Sequence, residues 1–134
     1  MTPPKRSVLV VEDDTVTRET MGTVLEEQGY RVTLARNGSE GLLAFAEATP
    51  DLVVTDVNMP GMNGFEMLSR VRAGYPHVPV IVITANYSRD AEGEARRLGA
   101  DDYINKPVDL DDMLARIAAC LDEGRRRTPA PPPM

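Results

Sequence analysis

Three short stretches, SVLVV (7–11), DLVVT (51–55) and VPVIVIT (78–84), are dominated by Val, Leu and Ile, and each gives way to polar or Gly, Pro and Asn residues. A half-buried strand alternates apolar with polar side chains. An unbroken apolar run leaves no face for water, so strands of this kind suit a parallel sheet covered on both sides. Two weaker segments, YRVTLA (30–35) and DDYIN (101–105), mix polarity as edge strands do and bring the number of strands to five.

Between the runs, apolar residues recur at helical spacing. The faces are Thr17, Met21, Val24 and Leu25; then Leu42, Phe45, Ala46 and Thr49; then Phe65, Leu68 and Val71; and in the last helix Leu110, Leu114, Ile117, Ala118 and Leu121. The fourth helix, around 88–98, is thin, with Tyr87, Ala91, Ala95 and Leu98 alone in register. So weak a stripe suits an element of low local stability. Gly29 and Gly99 sit where helices stop, Asp109 stands as an N-cap, and Asp111 and Asp112 suit the positive end of the final helix. Gly22 is a misfit inside the first helix, at a cost of about 1 kcal/mol relative to Ala.

A strand and helix repeated five times fold, under the right-handed crossover rule, into an α/β doubly wound parallel sheet with helices on both faces. Five strands of that class commonly take the flavodoxin-like order 2-1-3-4-5. The 134 residues suit one domain able to bury about two-thirds of its unfolded surface. We place that domain at 7–124, after an N-terminal extension over 1–6. The segment 125–134 opens with Arg125-Arg126-Arg127 and has four prolines among its last six residues. It reads as a disordered tail or as the start of a cut linker.

Charge narrows the function. A net charge of −6 and a pI near 4.8 oppose a chain that grips nucleic-acid phosphates, whose affinity comes from clustered Lys and Arg. The single cysteine, Cys120, excludes an intrachain disulfide and fits a reducing compartment, where it serves as a small apolar residue of the last helix. MTPPKRS leads into only Val8 to Val11, too few apolar residues for a signal core or a membrane span, which points to the cytoplasm without membrane insertion.

In the 2-1-3-4-5 order the switch point lies between strands 1 and 3, and ligands bind beyond the carboxyl ends of the strands. The first strand ends in Glu12-Asp13-Asp14 and the third in Asp56. Two loops distant in sequence therefore bring at least three carboxylates into one crevice, where repulsion raises pKa values or demands a cation. Oxygen ligands select a hard cation, and few protein ligands with room for water favour Mg²⁺ over Ca²⁺. Taken singly, each loop acid is more simply a solvated residue; their meeting makes the site. Thr84 ends the fourth strand and Lys106 follows the fifth, before Pro107. A hydroxyl and an ammonium aimed at the crevice would bond and neutralise phosphate oxygens if Asp56 were a phosphoryl acceptor. Alone, each also reads as strand propensity or as a surface salt bridge.

Together VLVVEDD, DLVVTDVNMPGMNGFEML, PVIVITA and GADDYINKPVDLDDML resemble the receiver domain of two-component response regulators, including the single-domain chemotaxis type, over roughly residues 5–124. The resemblance implies that Asp56 is the phosphoacceptor, loaded by a histidine kinase or a histidine phosphotransfer protein. It implies Mg²⁺ ligated by Asp13, Asp56 and the Asn58 backbone carbonyl, with Glu12 acting through water and Lys106, beside a cis Lys106-Pro107 bond, offsetting charge. Thr84 and Tyr103 would switch position and reshape the surface of the fourth helix, fifth strand and fifth helix, where a downstream protein or a second copy docks. Asn58 and Asn86, two residues beyond Asp56 and Thr84, would tune the lifetime of the phosphoryl group. Asp14 falls one place beyond the family's acid pair and is assigned to solvent. Such a chain is a switch, with no catalysis beyond its own phosphorylation and dephosphorylation. On its residues alone, Tyr103 also reads as a half-buried strand aromatic.

Rival readings meet particular residues. A hydrolase of the haloacid dehalogenase type needs a second Asp two residues beyond its nucleophile, and that position is Asn58. A flavodoxin cradles phosphate in a Ser/Thr/Gly loop after the first strand, where Glu12-Asp13-Asp14 would repel it. The one histidine, His77, lies in the loop YPHVP, so phosphohistidine must come from another protein. Two readings of the same fold stay open: an adaptor that works without phosphorylation, and a receiver fragment of a larger regulator or hybrid kinase.

Overall fold

The computed structural model describes residues 5–59, 61–85 and 88–127. Strands and helices alternate: β1 (Ser7–Val11), α1 (Thr15–Glu27), β2 (Arg31–Ala35), α2 (Gly38–Glu47), β3 (Leu52–Asp56), α3 (Gly64–Gly74), β4 (Val80–Thr84), α4 (Arg89–Arg97), β5 (Asp102–Asn105) and α5 (Leu110–Arg127). The strands form one parallel sheet in the order β2-β1-β3-β4-β5. This is the doubly wound, flavodoxin-like class that the unbroken runs require. The two mixed segments, β2 and β5, are the edges.

Strand period two divides the core. Leu9, Val11, Val53, Val80 and Val82 face a layer completed by α2, α3 and α4 through Phe45, Met67, Leu68, Val71 and Ala95. Val8, Val10, Leu52, Val54, Ile81 and Ile83 face the opposite layer, completed by α1 and α5 through Met21, Leu25, Met113, Ile117, Cys120 and Leu121. Every residue of β3 and β4 is buried.

The helices depart from the expected faces where small residues bury themselves. In α2 the hidden residues are Gly38, Gly41 and Phe45, while Ala46 and Thr49 are exposed. A Cβ on Gly41 would lie 2.8 Å from Val11 Cγ2, so the helix approaches β1 as only glycine permits. Gly22, the apparent misfit of α1, faces Leu34 of β2, whose Cδ2 would stand 3.1 Å from an added Cβ. In α5, Met113 and Cys120 are buried and Ala118 is exposed. In α4, Ala95 alone is fully buried, with Ala91 and Leu98 partly so; Tyr87, expected on the same face, lies outside the described residues. The last helix continues through the triple arginine to Arg127, past the domain boundary expected at 124. The expected tail beyond 127 and the extension over 1–4 fall outside the described residues.

The amino end of the sheet is held by one arginine. Arg72 at the end of α3 donates through Nη1 to the carbonyls of Pro76 at 2.8 Å and Val78 at 2.7 Å. Through Nη2 it donates to the Gly99 carbonyl at 2.7 Å and pairs with Asp101 Oδ2 at 2.9 Å. The same Asp101 oxygen accepts from Val80 N at 2.9 Å. The loop entering β4 is thereby tied to the loop entering β5, around a carboxylate whose side chain is 6% exposed. Removing one partner of such a pair strands the other. Asp101→Ala should lower the unfolding free energy by about 3 kcal/mol in urea titration; a loss under about 1 kcal/mol, as for a surface pair, would show that the clamp is dispensable.

Candidate functional site

At the carboxyl end of the sheet, β1 passes directly into Glu12, whose N–H continues the ladder by donating to the Ala35 carbonyl at 3.0 Å. Glu12 is 2% exposed. Asp13 and Asp14 turn outward to the exposed surface. Asp14 is more than a solvated acid: its carboxylate accepts from Thr17 N at 2.9 Å and Thr17 Oγ1 at 2.7 Å, which caps α1.

Asp56 is the last residue of β3, opposite Ile83 of β4, and is also 2% exposed. Its Oδ1 accepts the Asn58 backbone N–H at 2.9 Å, and the Asn58 side-chain amide donates to Thr84 Oγ1 at 3.2 Å. One asparagine therefore touches both the acid of β3 and the hydroxyl that ends β4. From beyond β5, Lys106 is held by its N–H to the Thr84 carbonyl at 2.8 Å, and its peptide with Pro107 is cis. Its Nζ lies 2.6 Å from Glu12 Oε1 and 2.7 Å from Asp56 Oδ2.

The two buried acids answer differently to this arrangement. Burial, with a hydrogen bond shared with Asp56, pushes the Glu12 carboxyl up to about 8. Burial also acts to raise Asp56, but its hydrogen bonds with Glu12, Lys106 and the Asn58 N–H outweigh that and hold it below the ordinary carboxylate range. Burial opposes the Lys106 charge, while its bonds to the same two acids more than restore it and raise the ammonium's pKa.

Carboxylate oxygens of Glu12, Asp13 and Asp56 lie within 4.8 Å of one another. Among the described residues Glu12 Oε2 is a buried polar atom with no hydrogen-bond partner, of the kind that a cation or its water would satisfy once the carboxyl is ionised. The set is all oxygen, which suits a hard divalent ion. Thr84 is buried beside the acids, and Tyr103 is buried in β5 opposite Val82. Asn58 is exposed. Asn86 lies outside the described residues.

Sequence reasoning overlooked Arg18, a buried residue of α1 whose Nη1 donates to the Glu12 carbonyl at 2.9 Å. The available signal was its spacing, three residues before Met21 and seven before Leu25, on the stripe that faces the core.

A model of the family described as "Response regulator receiver domain" matches residues 8–118. The chain is 40% identical over 124 residues to the "Uncharacterized transcriptional regulatory protein YkoG" of Bacillus subtilis, covering 92% of this chain and 54% of the relative. It is 41% identical over 122 residues to the response regulator MprA of Mycolicibacterium vanbaalenii, covering 91% and 52%. The chain thus spans about half the length of these curated relatives. A solved receiver domain from Methanospirillum hungatei, described as CheY-like, superposes with a TM-score of 0.88 at 32% identity, over 92% of this chain and 98% of that one.

The loop after Asp56 depends on close backbone approach. Asn63 caps α3 by accepting from Glu66 N at 2.9 Å, Gly61 takes a φ of +78°, and a Cβ on Gly64 would stand 2.7 Å from Val57 Cα. Because the obstacle is backbone, Gly64→Ala must displace the strand end that carries Asp56. We expect it to lose about 1–3 kcal/mol of stability, in the range of overpacked sites, and to shift the amide resonances of Asp56 to Asn58. Unchanged resonances would show that the loop absorbs the methyl group.

Proposed function

The chain belongs to the response regulator receiver domain family, and we propose that it is the switch of a two-component phosphorelay, accepting a phosphoryl group on Asp56. Membership of the family implies phosphorylation-dependent signalling. The observation that carries the finer reading is the buried Asp56 carboxylate, held at the sheet edge by Lys106 and gathered with Glu12 and Asp13 around an unsatisfied oxygen.

The donor is a phosphohistidine on a histidine kinase or phosphotransfer protein. An Asp56 carboxylate oxygen attacks phosphorus, and the P–N bond breaks with its electron pair left on the donor's ring nitrogen. The imidazole departs neutral, with one proton taken from solvent or already on its other nitrogen, leaving an acyl phosphate. Asn58 N–H fixes one Asp56 oxygen and Lys106 lies against the other, so the nucleophile is oriented before the donor arrives. Asp13, Asp56 and the Asn58 carbonyl would hold Mg²⁺, with Glu12 reached through water, and the ion would supply charge against the transferring oxygens. Lys106 turns its ammonium to the same oxygens, and Thr84 offers its hydroxyl.

The added phosphoryl carries about −1.5 to −2 of charge. Thr84 leaves Asn58 to bond it, and Tyr103 moves behind Thr84, which favours a conformer already accessible to the fold. The responding surface is α4, β5 and α5. There Asp102 of β5 pairs with Arg116 of α5 at 2.7 Å and with Arg96 of α4 at 3.6 Å. A downstream protein, or a second copy in a homodimer, reads that surface. Asn58 and Asn86 set the phosphoryl lifetime. The receiver unit runs from 7 to the end of α5 at Arg127, and it works in the cytoplasm. Among the described residues no helix is long and apolar enough to cross a membrane.

Incubation with Mg²⁺ and acetyl phosphate should add one phosphoryl mass to the intact protein, absent with EDTA and absent in Asp56→Asn. Addition that persists in Asp56→Asn would move the acceptor elsewhere. Mg²⁺ at ten times its dissociation constant should raise the unfolding free energy by about 1.4 kcal/mol through mass action, and Asp13→Asn should abolish the increment; equal stabilisation of that variant would remove Asp13 from the ligand set.

A further inference from the structure

We infer that Arg18 is a positioning residue for the cation site, an inference that rests on the Mg²⁺ reading above. Arg18 is 9% exposed. Its Nη1 donates to the carbonyls of Glu12 at 2.9 Å and Asp13 at 3.4 Å, the two residues whose carboxylates enter the crevice from β1. Among the described residues it makes no salt bridge, and its side-chain hydrogen bonds go to main-chain carbonyls. What the burial secures is the direction of two peptide groups.

The geometry closes a ring. Asp14 caps α1 through Thr17, the Arg18 N–H bonds the Asp14 carbonyl at 2.9 Å, and the Arg18 side chain returns to Glu12 and Asp13. With the Glu12 N–H bound to Ala35 and its carbonyl bound to Arg18, both peptide planes flanking Glu12 are fixed. The Cα–Cβ direction follows from those planes. Glu12 thus points inward because its main chain has nowhere else to turn, and Asp13 starts from an anchored carbonyl. Groups behind the ligands of a metal site act in this way, orienting donors they do not replace.

Charge alone predicts the reverse effect. A cation behind the site repels Mg²⁺, so a purely electrostatic Arg18 would weaken the site and its removal would tighten it. Arg18→Lys separates the two, because lysine keeps the charge while its nitrogen falls one bond short of the carbonyls.

The test is an NMR titration of ¹⁵N-labelled wild type, Arg18→Lys and Arg18→Met with MgCl₂, following the amides of Glu12 to Asp14 and Asp56 to Asn58. Urea titration in EDTA reports the metal-free stability of each variant. We expect a dispersed spectrum for Arg18→Lys and an apparent Mg²⁺ dissociation constant raised about tenfold, the low end for groups that support metal ligands. Wild-type affinity in Arg18→Lys, with or without tighter binding in Arg18→Met, overturns this inference alone. Loss of Mg²⁺ affinity only in step with loss of folded protein overturns it as well. A wild type whose site amides do not respond to Mg²⁺ overturns both this inference and the reading on which it rests.

Discussion

Glu12 and Asp56 are both withdrawn from water at one edge of the sheet, and the ammonium of Lys106 lies between them. Buried carboxylates on adjacent strands repel unless a cation intervenes. The strand order makes that cation hard to provide, because β5 is separated from β3 by β4 and Lys106 must reach past the end of β4 to arrive. The Thr84 carbonyl, which accepts the Lys106 N–H, fixes where that reach begins. Four loops of the carboxyl edge are therefore mutually constrained by polar groups in place of apolar packing.

The opposite edge solves a different problem. There Arg72 gathers carbonyls from the loops entering β4 and β5 and pairs with Asp101. With the amino ends of β4 and β5 joined to α3, changes at the carboxyl ends have a fixed frame to act against. Asn58 adds a side-chain link between β3 and β4 at their carboxyl ends, through its backbone to Asp56 and through its side chain to Thr84.

The sheet was legible in the sequence because burial on both faces forces uninterrupted apolar runs, and three of them separated by helical stripes point to a parallel sheet. The helices were less so. Gly41 and Gly22 carry close contacts that a tally of apolar residues misses, which is why the hidden face of α2 differs from the one expected. Asp56, Thr84 and Lys106 could be placed in one crevice because strand order alone brings strand ends together. The bond between Lys106 and Glu12, residues 94 apart in the chain, has no local signature. Asp14 did have one, an acid directly before a helix, but its neighbours in the acid run drew the reading towards solvent. Arg18 was hidden for the opposite reason: its charge marks it as surface, and only the stripe it shares with Met21 and Leu25 says otherwise.

The helix α4 is tied to the core by Ala95 and, in part, by Ala91 and Leu98. Its remaining positions, Arg89, Asp90, Glu92, Gly93, Glu94, Arg96 and Arg97, face outward or partly so. Substitutions at such positions usually alter stability by less than about 0.5 kcal/mol. The helix is thus a nearly blank page bound to the book by three apolar side chains and the Arg96–Asp102 pair. Descendants of this chain can diverge in what α4 presents to the outside while inheriting an unchanged core, so recognition and folding can evolve on separate schedules.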